Sequence, residues 1–252
     1  MEIQITKIDL LKKLIDLLKE ISSEYPLYIN ENEIVFQSMD SSHSCMIHIK
    51  ILPEFCQKFI IKEPFTIGFS VEKLQMILKT TGASDTLTLM CNPGSDTLDI
   101  HAQNVGDHKN SRYSLKLMNI ESQFNEVSIE YDVEVEINSS IFNKIIKDHY
   151  NFDSNIIINI FNNKITFGIQ GDDVNCLVEI SDVVIHANEN ENENIPIVTG
   201  KYSSVLLNSC VKAGILTNKL KFYLKANADT PLCCEYLVDN LMIKLYIAPK
   251  IE

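Results

Sequence analysis

The densest grouping of residue types able to do covalent chemistry is Asp40-Ser41-Ser42-His43, where a nucleophile, a base and a carboxylate stand side by side. A Ser-His-Asp relay needs those groups to converge from separate elements, and neighbours in one turn do not reach that geometry. No G-x-S-x-G elbow accompanies them, so the block reads as a polar turn. Gly171-Asp172-Asp173 could open a metal site, yet the spaced oxygen ligands of a calcium loop are missing, and a hairpin turn is the better reading. The sequence has no P-loop, no G-x-G-x-x-G fingerprint and no H-E-x-x-H helix, and its six histidines are dispersed. Its seven cysteines, Cys45, Cys56, Cys91, Cys176, Cys210, Cys233 and Cys234, form no C-x-x-C pair and read as reduced core thiols. The residues therefore point away from an enzyme, and no cofactor or metal is expected.

The chain that carries these residues has 252 positions, enough for one large domain or two of about 120 residues. Residues 9–21 place Leu10, Leu11, Leu14, Leu17, Leu18 and Ile21 at helical spacing. Alternating runs at 27–31, 34–38 and 45–51 read as half-buried strands. A second helix is expected over 70–81, capped by Ser70 and stopped by Gly82, with strands at 86–90, 97–103 and 111–118. The second half repeats this order, with a strand at 132–138, a helix at 139–149 and strands at 155–160, 164–170 and 174–181. A helix at 201–213 and strands at 219–225, 232–238 and 242–247 complete it. Corresponding helices begin about 130 residues apart, a weak internal duplication. Between the halves, 119–131 carries acidic groups without a period and reads as a linker, and 186–195 reads as a solvated Asn/Glu loop.

Charge divides unevenly over these elements. The chain has 34 acidic and 22 basic side chains, a net charge of −12, which by itself argues against a basic nucleic-acid-binding domain. The four predicted helices together carry +4, so everything else carries −16. That separation suggests helices turned toward a polyanion and sheets turned elsewhere. No apolar run approaches the roughly 18 residues of a membrane span, and the first residues lack the apolar block of a signal peptide. A soluble, intracellular protein without a membrane partner is expected.

Gln37-Ser38-Met39-Asp40-Ser41-Ser42-His43 and the closing Ala248-Pro249-Lys250-Ile251-Glu252 resemble the eukaryotic sliding clamps of the proliferating cell nuclear antigen family. Further matches in the family's order are Ile77-Leu78-Lys79, Lys116-Leu117-Met118, Ala228-Asp229, Pro231-Leu232 and Glu235-Tyr236. The resemblance implies an α+β DNA clamp fold: two similar domains, 1–118 and 132–252, each with two helices on a curved antiparallel sheet, joined by the 119–131 linker. It implies a homotrimeric ring around double-stranded DNA, bound without sequence preference, that serves as a processivity factor in DNA replication and repair. DNA polymerase, a clamp loader and other proteins with clamp-interacting peptides are the implied partners, in the nucleus or a viral replication compartment. A specialised relative, such as a subunit of a heteromeric checkpoint-type or archaeal-type ring or a viral clamp-like transcription factor, is the alternative.

Carried over position by position, the resemblance puts Lys12, Lys13, Lys19, Lys79, Lys144, Lys147 and Lys212 on the DNA-facing surface, with Met76 and Val205 where the family usually has a basic residue. It assigns partner-peptide binding to Met39, His43, Phe124, Val127, Tyr131, Pro231, Tyr246, Ile247, Ala248, Pro249 and Ile251. Ring closure falls to edge strands 111–118, with Arg112 and Tyr113, and 174–181, with Cys176 and Val178. The expected pocket has an apolar floor and aromatic walls, suited to a short helical turn with apolar anchors.

Overall fold

A computed structural model describes every residue except 122–123, 125–126, 162, 172–173, 182, 188–196, 227–228 and 251–252. The chain folds as two compact units. The first comprises Met1–Ser41, Ile47–Asn125 and Val238–Ile243, and the second comprises Ser42–Met46, Glu126–Leu237 and Lys244–Glu252.

In the first unit, strand β1 (Glu2–Ile5) leads into helix α1 (Ile8–Ile21). The buried stripe of α1 is Ile8, Leu11, Leu14, Ile15, Leu17, Leu18 and Ile21; Leu10, expected on that face, is half-buried, and Ile15 is fully buried in its stead. Then come β2 (Glu24–Ile29), β3 (Ile34–Met39), β4 (Cys45–Ile51), β5 (Lys58–Ile60) and β6 (Phe65–Ser70). Helix α2 (Val71–Lys79) starts where the Ser70 hydroxyl accepts the Lys73 N–H. It closes where Thr80 and Thr81 hydroxyls donate back to the Ile77 and Leu78 carbonyls at 2.7 Å each. Threonine hydroxyls that satisfy end carbonyls compete with helix continuation, which is why the helix stops short of the expected 81. Strands β7 (Thr86–Met90), β8 (Thr97–Asn104) and β9 (Lys109–Lys116) complete a sheet of order β5-β1-β7-β8-β9, and β4-β3-β2-β6 are hydrogen-bonded neighbours in that order. Helices α1 and α2 pack on each other. Gly68 on β6 lies where a side chain has no room: a Cβ there would meet the Met118 carbonyl oxygen at 2.5 Å, and Met118 N–H donates to the Gly68 carbonyl at 2.8 Å.

The second unit repeats the plan. It holds β10 (Val133–Asn138), α3 (Ser139–His149), β11 (Asn155–Phe161), β12 (Lys164–Gln170), β13 (Asn175–Ser181), β14 (Val184–Ala187) and β15 (Val198–Ser203). These are followed by α4 (Ser204–Ala213), β16 (Lys219–Leu224), β17 (Leu232–Val238) and β18 (Leu241–Ile247). One sheet runs β13-β12-β11-β15 and β14-β10-β16-β17-β18 are neighbours in order. Asn138 caps α3 through its side-chain oxygen, which accepts the Ser140 N–H at 2.8 Å. Under α3 the rings of Phe142, Phe167 and Phe222 form a cluster with centroids 5.1 to 6.3 Å apart, each ring buried.

Three expectations are corrected. Residues 201–203 extend strand β15, paired with Asn155–Ile157, so α4 begins at Ser204 and Lys201 leaves the helix count. The helices then carry +3 and the rest −15. Residues 184–187 form β14, which pairs with β10, so 186 and 187 are strand in place of the expected loop, and 188–195 lie outside the described residues. Strands β1, β5 and β6 carry too few residues or too mixed a pattern to stand out by alternation. Five of the seven cysteines are buried, with Cys56 and Cys176 half-buried, and all seven are free thiols.

Candidate nucleic-acid interface and peptide-binding site

The helices present their polar faces as stripes at three- and four-residue spacing. On α1, Asp9, Lys13, Asp16, Lys19 and Glu20 are exposed, and on α2 so are Glu72, Lys73, Met76 and Lys79. Gln75 ties the two helices together: its amide donates to Asp16 at 2.6 Å, and its oxygen accepts from the Lys19 ammonium at 3.3 Å. On α3 the exposed residues are Ser140, Ile141, Lys144, Lys147 and Asp148, and on α4 Val205 is exposed. Five of the seven expected DNA-facing lysines, Lys13, Lys19, Lys79, Lys144 and Lys147, thus stand out from their helices.

Lys12 and Lys212 do not. Lys12 is half-buried and its ammonium donates to the Thr81 carbonyl at 2.6 Å, closing the C-terminal end of α2. A cation there meets the negative end of the helix dipole and an orphan carbonyl, a structural task the sequence pattern did not reveal. Lys109 reaches the neighbouring Thr80 carbonyl at 3.4 Å. Asp85 lies buried beside this turn, where the Gly82 N–H at 2.9 Å and the Asn104 amide at 2.9 Å hold its carboxyl below the usual carboxylate range. Lys212 is half-buried on α4. The apolar Met76 and Val205 are 55% and 55% exposed, so those two positions give the helix surface hydrocarbon in place of charge.

The expected peptide-binding residues distribute over both units. In the first, Met39 ends β3 exposed, and Phe124 packs its ring on Tyr28 with centroids 5.5 Å apart. In the second, Val127, Tyr131 and Tyr246 line one cavity of about 320 Å³. His43 is exposed in its turn with φ of 55°, and Pro231, Ala248 and Pro249 are half-buried. The Ala248 N–H donates to the Ser44 carbonyl and the Lys250 N–H to the Lys201 carbonyl, both at 2.8 Å, so the terminal segment is held by backbone pairing. Ile247 is fully buried, and its side chain belongs to the core rather than to a peptide site: alternation along β18 turns it inward when Tyr246 faces the cavity. Ile251 lies outside the described residues.

The floor of the cavity differs from the apolar one expected. Strand pairing sets Glu134 opposite Tyr223 and His186, and Tyr223 opposite Cys233, on one face of the sheet. The Tyr131 and Tyr223 rings lie 5.8 Å apart at 44°. Lys244 bonds Glu235 at 2.8 Å and sits 5.8 Å from the Tyr223 ring centre, the Tyr223 hydroxyl bonds Glu235 at 3.3 Å, and Lys221 bonds Glu134 at 2.6 Å. Burial pushes the Tyr131, Tyr223 and Tyr246 phenols above their ordinary range, so all three stay neutral donors, and the Cys233 thiol is pushed up to about 12. Glu134, Tyr223 and Lys244 were missed because an alternating strand assigns its polar positions to solvent by default, and no motif marks a covered polar face.

The two edges expected to close a ring are edges in the structure: β9 ends one sheet and β13 another. Arg112 is exposed, Tyr113 half-buried with its hydroxyl 2.7 Å from that of Thr80, and Cys176 and Val178 half-buried. Among the described residues no group of three or more histidines, cysteines and carboxylates could hold a metal ion, and no helix is long and apolar enough to cross a membrane.

Two family models divide the chain between them: the proliferating cell nuclear antigen N-terminal domain over residues 1–126 and its C-terminal domain over 126–251. The chain belongs to the proliferating cell nuclear antigen family. It is similar to proliferating cell nuclear antigen 2 of Drosophila melanogaster, 28% identical over 259 residues and spanning 100% of this chain and 98% of the relative. The proliferating cell nuclear antigen of Chaetomium thermophilum is 27% identical over 260 residues, spanning 100% and 98%. In fold, the crystal structure of the Entamoeba histolytica family member superposes with a TM-score of 0.88 over 99% of this chain and 98% of that one, at 23% identity. The α+β two-domain clamp fold expected from the terminal motifs is the fold observed. A sliding clamp of the processivity-factor class is the family's reading of that fold.

Proposed function

We propose that this chain closes with two further copies into a ring around duplex DNA and tethers DNA polymerases and other replication and repair proteins to it. The observation that carries the reading is the separation of charge by element: +3 on the helices, with Lys13, Lys19, Lys79, Lys144 and Lys147 exposed, inside a chain of −12. A basic helical lining contacts phosphates without reading bases, and such contacts are weak and salt-dependent enough to permit sliding. An acidic exterior discourages adventitious binding of DNA from outside.

In this reading a clamp loader opens the ring, no bond is made or broken by the clamp itself, and the protein works in the nucleus. Edge strands β9 and β13 of neighbouring copies pair through their backbones, a heterologous contact that closes by rotation and covers two open sheet edges. Residues 119–131 act as the connecting linker. Partner peptides seat their apolar anchors near Val127, Tyr131 and Tyr246, and pair with the backbone of the terminal segment.

Two measurements test this together. Solution mass is expected at three times 28.7 kDa. Primer extension on circular template with a polymerase and loader is expected to give longer products when the protein is added. A persistent monomer that leaves product length unchanged would overturn the reading.

A further inference from the structure

The cavity under residues 127–131 has chemistry that an apolar anchor does not use. The Asp132 carboxylate accepts the Ala226 N–H at 2.9 Å and has no cationic partner among the described residues. Glu134 and Glu235 are each matched by one lysine, at 2.6 and 2.8 Å, so the cluster keeps one carboxylate in excess, and exposed Glu130 adds to it from the segment above. Tyr131 and Tyr223 set two inclined ring faces 5.8 Å apart beside these carboxylates. An aliphatic side chain placed here would desolvate Asp132, which has no cation among the described residues to compensate it, and an anionic one would meet like charge. A cation gains from both the rings and the carboxylates.

We propose that this cavity receives an arginine or lysine side chain of the partner peptide, beside the apolar anchors, and so selects among partners by their flanking charge. The inference rests on the peptide-binding reading above and names a specificity subsite within it. Asp132 supplies the excess charge and Tyr131 and Tyr223 the ring faces. Residues 127–131 form the cover under which the side chain enters.

The probe is a synthetic peptide carrying an aliphatic and two aromatic anchors in one helical turn, with a single flanking position changed in turn to arginine, citrulline or glutamate, each titrated calorimetrically into the full-length protein. At one flanking position the arginine peptide is expected to bind about fivefold or more tightly than the citrulline peptide, which has the same shape without the charge. That gain is expected to fall below about twofold in Asp132→Asn, which keeps an acceptor for the Ala226 N–H, and in Tyr223→Leu. Equal binding of arginine, citrulline and glutamate peptides at every position would overturn the subsite while leaving the anchor site standing. An arginine gain that survives both substitutions would place the cation elsewhere and also overturn it. Failure of every peptide to bind would overturn the peptide-binding reading itself, and the subsite with it.

Discussion

Lys12 and Lys144 share a residue type and an expected role, and the structure separates them. Lys144 is exposed on α3, whereas the Lys12 ammonium lies 2.6 Å from the Thr81 carbonyl at the end of α2. Replacing Lys12 with Met removes a charge-assisted hydrogen bond from a half-buried carbonyl and a favourable cation from the helix terminus. The first is worth about 1.5–3 kcal/mol in full and the second about 0.3–1. Because Lys12 remains partly in water, a net loss of about 1–2 kcal/mol is expected, which for a unit of this size lowers Tm by roughly 3–8 °C. Lys144→Met is expected to leave Tm within about 1 °C, since exposed substitutions are close to neutral. On DNA the order reverses. Removing one lysine–phosphate pair reduces the slope of log K against log salt by about 0.9, so a trimer without Lys144 is expected to show a slope smaller by up to about 2.7, and one without Lys12 a much smaller change. Differential scanning calorimetry and a salt series of fluorescence anisotropy on short duplex DNA read the two effects. Were Lys12→Met to leave Tm unchanged and flatten the salt slope as much as Lys144→Met, the assignment of Lys12 to the α2 terminus would be wrong.

Three further outcomes follow from single contacts. Lys244→Met leaves the buried Glu235 carboxylate without its cation, with the Tyr223 hydroxyl still bonded to it, and is expected to cost about 2–3 kcal/mol in urea unfolding, largely restored by Glu235→Gln in the same chain. The Gly82 N–H and Asn104 amide depress the Asp85 pKa in the folded state, so their contribution is present above the ordinary carboxylate pKa of about 3.9 and is lost as pH falls through the lower folded value. The stability gap between wild type and Asp85→Asn is therefore expected in full at neutral pH, closing as the medium becomes strongly acidic; a gap that widens in acid would contradict the sign. Gly68→Ala forces a Cβ against the Met118 carbonyl and the Ile120 side chain, and is expected to cost about 1–3 kcal/mol and to expose residues 118–121 to limited proteolysis. Unchanged proteolysis would mean that the strand yields without releasing the segment.

Long amphipathic elements were the legible part of the sequence. Helix α3 begins at its asparagine cap and ends where its period ends, and β12, β17 and β7 coincide with their alternating runs, because local pattern and tertiary burial agree there. Lys201 misled because α4 begins only after Ser203, and the preceding alternation is too short to separate a strand end from a first helical turn. The candidate site was legible in type but not in detail. Tyr131, Val127 and Tyr246 line one cavity, whereas Tyr223, Glu134 and Lys244, which line it too, come from strands whose polar positions read as solvent-facing. Nothing in a single strand's pattern announces such a cavity. The same holds for Lys12, whose partner carbonyl is 69 residues away.

Encirclement of DNA is the central claim, and a topological test reaches it most directly. Fluorescently labelled protein is loaded onto nicked circular duplex, washed in salt high enough to abolish phosphate contacts, and then the circle is cut once with a restriction enzyme. The account predicts that protein stays on the intact circle through the wash and leaves promptly when the DNA acquires ends. Protein that washes off the closed circle, or that remains on the linear product, would contradict a ring that holds DNA by enclosure.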